Sequence, residues 1–273
     1  MSARINTELL AVMEIRYYSS FEDDMVTNPG QDYRLPEDYR WVRDDLPSRL
    51  LSALIYWITW NIAAVYAAAV WHIRVEGREK LMQARGEGYF MYGNHTQPFG
   101  DVVIPAWTNR WRRIYTVASP SNLGIPVIGR LLPYMGALPA DGTAPSVRSL
   151  ASAVKRRIED GSAVIIYPEA HVWPYCTVIR PFPSASFTFP AESGSPVFSM
   201  TATYQKRRLR KRPRMTVYID GPFRPDMSLS RRARRDMLHS QVYEAMVSRT
   251  CMNTAQVVEY RKAGAEDTEE DII

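Results

Sequence analysis

The 22 residues Leu50–Trp71, LLSALIYWITWNIAAVYAAAVW, carry no charge, and Asn61 is the most polar of them. As a helix they extend roughly 33 Å at about 1.5 Å per residue, close to the thickness of a bilayer core. Arg49 precedes the run, and His72 and Arg74 follow it. Trp57, Trp60 and Trp71 are ring types favoured at membrane interfaces. Three placements are open: burial in a core, a full span, or a position in one leaflet. Ser52, Thr59 and Asn61 weaken a full span, and the run occurs once. The expectation is a helix lying in, or dipping into, one leaflet.

Beyond this run the pattern becomes α/β. Strands are expected at Ile73–Gly77, Gly88–Asn94, Ile114–Ser119, Ser162–Ala170, Ser195–Tyr204 and Arg214–Phe223. Residues from Asp101 open one helix, and Ser146–Gly161 form another. In the second, Val147, Leu150, Val154 and Ile158 share a face, with Gly161 as the stop signal. A third amphipathic helix starts at Arg231. Alternation of this kind predicts a central mixed sheet flanked by helices. The boundaries read as a polar, Tyr-rich extension over 1–44 and an apolar helix over 45–75. A catalytic-sized domain follows over 76–250, then an acidic tail over 251–273. The extension carries turn signals at Asn28-Pro29-Gly30 and Leu35-Pro36-Glu37.

The chain has 273 residues, of which 46% are hydrophobic, enough for a core without disulfides or metals. Its two cysteines, Cys176 and Cys251, lie far apart and outside any C-x-x-C, which points to a reducing compartment and no zinc site. No secretory signal pattern opens the chain; Leu9–Met13 is too short an apolar run for one. The net charge of +5 is concentrated: seven of the nine residues in Lys206–Arg214, KRRLRKRPR, are basic. Such a loop suits a solvated turn, an anionic membrane or nucleic acid. No nucleic-acid motif accompanies it, and the apolar run is out of place in a nucleic-acid binder. The anionic membrane surface is therefore the expected partner, and nucleic acid is not.

No G-x-S-x-G, H-E-x-x-H or Walker A sequence occurs. Polar groups at strand ends remain. GNHTQPFGD (Gly93–Asp101) follows one apolar strand, and YPEAH (Tyr167–His171) follows another. In open α/β sheets such ends deliver side chains to a common cleft, so His95, Asp101, Glu169 and His171 are candidates to converge. A neutral imidazole removes a proton from an attacking hydroxyl, and a carboxylate beside it fixes the tautomer. The alternative for His95 is a turn residue that satisfies local backbone groups.

NHTQPFGD, IPVIGRLLPYMGALPAD, YPEA and SPVF, in that order, resemble the four blocks of the lysophosphatidic acid acyltransferase (1-acylglycerol-phosphate acyltransferase) family. The resemblance covers roughly residues 50–222. It implies an α/β acyltransferase domain at the membrane surface, on the cytoplasmic face of the cell membrane, monotopic or peripheral. It also implies transfer of a fatty acyl group from acyl-CoA or acyl carrier protein to a lysophospholipid hydroxyl, with no other cofactor. By resemblance His95 is the base, Asp101 its orienting partner, and Glu169 a residue of the acceptor site. The sequence departs from the family in three places. Five residues rather than four separate His95 from Asp101. Gly142 follows Asp141 where the family has Arg, and E-G-T-R is replaced by Glu169-Ala170-His171-Val172. Both arginines that meet the acceptor phosphate are thus missing. Arg180, Arg130 and His171 are the candidate substitutes, and Asn94 is a turn cap or an oxyanion donor. An acceptor without phosphate, such as a glycolipid or polyol, is the alternative, and a catalytically silent membrane-binding protein is a second.

Overall fold

A computed structural model describes residues 14–26, 30, 32–208, 210 and 212–264. The strands are β1 (Glu14–Tyr18), β2 (Arg74–Glu76), β3 (Tyr89–Gly93), β4 (Ile114–Ala118), β5 (Ala137–Pro139), β6 (Ala163–Ile166), β7 (Val197–Gln205), β8 (Arg214–Phe223) and β9 (Val258–Lys262). The helices are α1 (Leu46–Val65), α2 (Gly100–Thr108), α3 (Ile128–Met135), α4 (Ala144–Glu159), α5 (Thr188–Ser193) and α6 (Arg231–Arg249). Seven strands form a mixed central sheet in the order β2-β8-β7-β3-β6-β4-β5. The neighbours are parallel except the β7–β8 hairpin.

Every residue of β3 and β6 is buried, as expected of strands covered on both faces. Alternate side chains feed two cores. Tyr89, Met91 and Ile165 pack towards α1 and α2. Phe90, Tyr92, Val164 and Ile166 pack beneath α4 and α6, against Leu150, Val154, Leu238 and Val242. On α4, Leu150, Val154 and Ile158 are buried as the periodicity predicts, whereas Val147 is exposed. Ala153 and Arg157 complete the inward face instead.

The apolar run is not a core helix. Asp45 caps α1 by accepting the Ser48 N–H (3.1 Å), Pro47 sits in the first turn, and no residue of the helix is buried. One side docks through polar contacts: Ser52 Oγ donates to the Tyr134 carbonyl (2.7 Å) and Trp60 Nε1 to that of Ala106 (3.3 Å). The other side exposes Leu50, Leu54, Trp57, Ile62 and Val65. The stretch Leu46–Ala69 is long and apolar enough to cross a membrane by length and composition. The α-helix ends at Val65, and Tyr66–Trp71 form a π-helical turn stopped by His72 in the left-handed region (φ 48°).

The two ends of the described chain meet. Glu14–Tyr18 pairs in parallel with Val258–Lys262, so ordered strand lies within both the expected extension and the expected tail. Tyr18 and Tyr260 enclose Trp173 in a third small core. Tyr39 N–H donates to the Pro36 carbonyl (3.0 Å), forming the turn read at Leu35-Pro36-Glu37. Asn28 and Pro29 of the other turn, Leu9–Met13, Lys211 of the basic run, and the acidic residues 265–273 lie outside the described residues.

Tyr260 is fully buried, and its hydroxyl donates to the Pro174 carbonyl (2.9 Å). Tyr260→Ala is expected to cost about 3–5 kcal/mol, the range for emptying a large aromatic site. Urea denaturation measures this; an unchanged midpoint would mean that the small sheet does not brace the domain.

Candidate active site

Parallel strands place β3, β4, β6 and β7 with their C-terminal ends on one edge of the sheet. At that edge the loop from Asn94 to Phe99 carries His95, and Asp101 enters in the first turn of α2. His95 Nδ1 and Asp101 Oδ2 are 2.6 Å apart. With Asp101 ionised the carboxylate only accepts, so the contact places a proton on Nδ1 and makes Nε2 the basic nitrogen of the neutral ring. The intervening five residues are absorbed by a turn: Gln97 N–H donates to Asp101 Oδ2 (3.0 Å), and Asp101 N–H donates to the Gln97 carbonyl (3.1 Å). Gly100 is needed for close approach, because a Cβ there would lie 2.2 Å from the Trp71 ring. The π-helical turn after α1 thus delivers Trp71 against the loop.

Asp101 is buried, and its Oδ1 has no partner. Burial pushes its carboxyl up, against the pull of His95 and of the Gln97 and Thr96 amides. Tyr167 lies under the His95 ring, with centroids 4.6 Å apart and planes inclined by 18°. Its hydroxyl donates to the Asp101 carbonyl (2.6 Å), and burial holds it well above the usual phenol value. In sequence Tyr167 marks only a strand end; its place beside Pro168-Glu169 is the available signal.

The loop is held from both sides. Asn94 Nδ2 donates to the Ala202 carbonyl (3.0 Å), and its Oδ1 accepts the Ala202 N–H (2.8 Å). Both ends of the amide bond β7, so Asn94 continues the strand pairing beyond β3. Thr96 and Gln97 reach the Tyr204 hydroxyl at 2.7 and 2.9 Å. From the other side Trp173 N–H donates to the His95 carbonyl and Tyr175 N–H to that of Thr96, both at 3.0 Å.

Glu169 and Arg180 are corrected by burial. The Glu169 side chain has no exposed surface and that of Arg180 has 1%. Glu169 accepts the His95 N–H (3.2 Å), the Arg180 N–H (3.2 Å) and Arg180 Nη2 (3.0 Å). Burial pushes the Glu169 carboxyl up, and Arg180 with the two amides pulls it back. Arg180 also donates to the Phe21 carbonyl (3.0 Å) and to that of His171, and lies over the Trp173 ring. An arginine so enclosed does not meet a substrate phosphate. Glu169 braces the His95 backbone rather than facing an acceptor.

His171 is half-buried near Glu169, in a tight turn where Ala170 has φ 63°. Arg130 is exposed on α3, and Gly142 is open to solvent. His72 contacts Arg210 (3.3 Å), and His239 bonds the Phe182 carbonyl (2.9 Å), so neither joins His95. Burial pushes the Cys176 thiol up to about 12, which leaves it neutral and a poor nucleophile. Among the described residues no cluster of three His, Cys, Asp or Glu could hold a metal. A small hollow beside the loop is lined by Trp71, Gln97, Tyr204 and, from the β7–β8 hairpin, Arg212. Arg212 belongs to the basic run, whose charge in sequence marks a surface loop and not a place beside the His95 loop.

Residues 72–203 match the family model described as Acyltransferase. No curated protein matches the chain. Among solved structures, the fold is similar to the crystal structure of the 1-acyl-sn-glycerophosphate (LPA) acyltransferase, PlsC, from Thermotoga maritima. The match has 14% identity, covers 76% of this chain and 83% of that chain, and has a TM-score of 0.51.

The two buried carboxyls predict opposite stability effects. A carboxyl raised by burial favours folding below its unfolded value of about 3.9, and that contribution is lost as pH rises through the folded value. At pH 7–8 Asp101→Asn is therefore expected to be at least as stable as the parent. Glu169→Ala leaves buried Arg180 uncompensated and is expected to cost about 3–5 kcal/mol. Chemical denaturation of both variants checks this; a Glu169→Ala variant of parental stability would contradict the bracing role.

Proposed function

We propose transfer of a fatty acyl group from a thioester donor to a lysophospholipid hydroxyl, with His95 as general base, a reading supported by the match of residues 72–203 to the Acyltransferase model. The observation that carries this reading is the 2.6 Å contact between His95 Nδ1 and buried Asp101. His95 Nε2 takes the proton from the acceptor hydroxyl as its oxygen attacks the thioester carbonyl. The tetrahedral intermediate collapses, the C–S bond breaks, and the imidazolium returns the proton to the leaving thiolate. Asp101 orients the ring and stabilises its charged form. General-base assistance of this kind contributes roughly 10²–10⁴-fold. Acyl-CoA and acyl carrier protein are the donor classes, and the acceptor is of the 1-acylglycerol-3-phosphate type.

The exposed apolar surfaces support membrane association. The outer face of α1 is accompanied by Phe99 and Val102 at the start of α2, beside the His95 loop. Val127 and Ile128 at the start of α3 are exposed as well. Such a surface, next to the proton-accepting group, suits an acceptor that enters from the lipid. The β7–β8 hairpin supplies positive charge at the same edge through Arg210 and Arg212. A second reading, an acceptor without phosphate, is favoured by the enclosure of Arg180, which removes one substitute for the missing arginines.

The test is incubation of purified protein with labelled acyl-CoA or acyl carrier protein thioester and a panel of acceptors that differ in phosphate content. Parent protein is expected to acylate a lysophospholipid, and His95→Ala to lower the rate by at least about 10²-fold while keeping its unfolding transition. Full activity in a folded His95→Ala variant would reject the mechanism, and acylation of phosphate-free acceptors alone would establish the second reading.

A further inference from the structure

A feature that the His95 site does not explain lies at the opposite edge of the sheet. A cavity of about 490 Å³ opens where β4, β5 and β6 begin, between the first turns of α1 and the ends of α3 and α4. It is lined by five arginines (Arg43, Arg49, Arg113, Arg156 and Arg157) and by two carboxylates, Asp44 and Asp160. The five-residue strand β4, roughly 17 Å long, separates it from the His95 edge.

The floor is built rather than incidental. Arg157 is buried, with Nη1 between Asp44 (3.4 Å) and Asp160 (3.3 Å) and its plane over the Tyr115 ring. Arg113 donates to Ser52 Oγ (2.8 Å) and to the Tyr134 carbonyl (2.6 Å) and lies 3.8 Å from the Tyr56 ring centroid. Neither Arg113 nor Arg157 has a partner for its buried Nε. Arg156 shares the same two aspartates at 3.9 and 3.4 Å. Among the described residues no carboxylate pairs with Arg43, Arg49 or Arg113.

The charges do not balance. The two aspartates leave three of the five guanidiniums uncompensated. The C-termini of α3 and α4 contribute about half a negative charge each, which still leaves about two positive charges in excess. Arg113, Arg156 and Arg157 are already engaged, so Arg43 and Arg49 are the guanidiniums left to meet the oxygens of a phosphate. We infer that this cavity binds a phosphate group, as a second site remote from His95. The group comes either from an anionic lipid head or from a soluble phosphate compound. The lipid source rests on the reading that α1 lies in a membrane, because the cavity opens at the foot of that helix; the soluble source does not.

Two measurements on the full chain separate these sources. Calorimetry with pyrophosphate follows the soluble one. Flotation with phosphatidylcholine vesicles, with and without phosphatidic acid, follows the lipid one. The comparison is parent protein against Arg43→Gln/Arg49→Gln/Arg156→Gln, with Arg207→Gln/Arg208→Gln in the hairpin as control. A tenfold or greater loss of pyrophosphate affinity in the triple variant, but not in the control or in His95→Ala, supports the site. Loss confined to phosphatidic acid vesicles supports it with a lipid occupant. Unchanged behaviour of the triple variant in both measurements overturns it, as does an equal loss in the control. Failure of every protein to float removes the membrane reading alone, and pyrophosphate then decides. Thermal melts verify folding; if the triple variant melts early, Arg49→Glu, exposed and without an ion pair, takes its place.

Discussion

The Glu169 carboxylate is the interaction on which the candidate site depends. It receives the backbone N–H of His95, the backbone N–H of Arg180 and the Arg180 guanidinium, all out of water. An unpaired charge in that position would be costly, so the three donors and the carboxylate hold one another in a single arrangement. The consequence reaches the His95 ring: its backbone is fixed from below, Tyr167 stacks on its face, and Asp101 takes its Nδ1. Burial of Asp101 and Glu169 works against folding at neutral pH, while it keeps the orienting geometry dry.

Helix α1 sets the second constraint. It runs from one edge of the sheet to the other, beginning at the arginine-lined cavity and ending in the π-helical turn that places Trp71 against Gly100. Its polar contacts, Trp60 among them, face the domain, while Leu50, Leu54 and Trp57 face outward. One element therefore joins a surface suited to lipid with the loop that carries His95. The basic hairpin lies at the far end of this helix, where His72 meets Arg210.

Much of this was legible in the sequence, for identifiable reasons. Buried strands such as FMY within β3 and VII within β6 announce themselves as apolar runs, and the 3.6-residue period of α4 gave Leu150, Val154 and Ile158. The His95 and Asp101 positions were visible because they flank a strand end and a helix start. The pairing of Glu14–Tyr18 with Val258–Lys262 was not, since it joins segments almost the whole chain apart and neither carries a strong periodic signal. The burial of Arg180 was hidden for another reason. An arginine reads as a surface residue until the carboxylate and carbonyls around it are known, and those come from Glu169, His171 and Phe21. For Asn94 a backbone bond is legible but its partner is not, because Ala202 belongs to a strand far along the chain.

The central claim is that a His and an Asp six positions apart share one proton-bearing contact in a loop held from outside. Proton NMR of the His95 ring tests it directly. A strongly downfield, exchange-protected Nδ1 proton is expected in the parent protein and should vanish in Asp101→Ala while the fold persists. A His95 ring protonated at Nε2 instead, or a spectrum indifferent to Asp101, would contradict it.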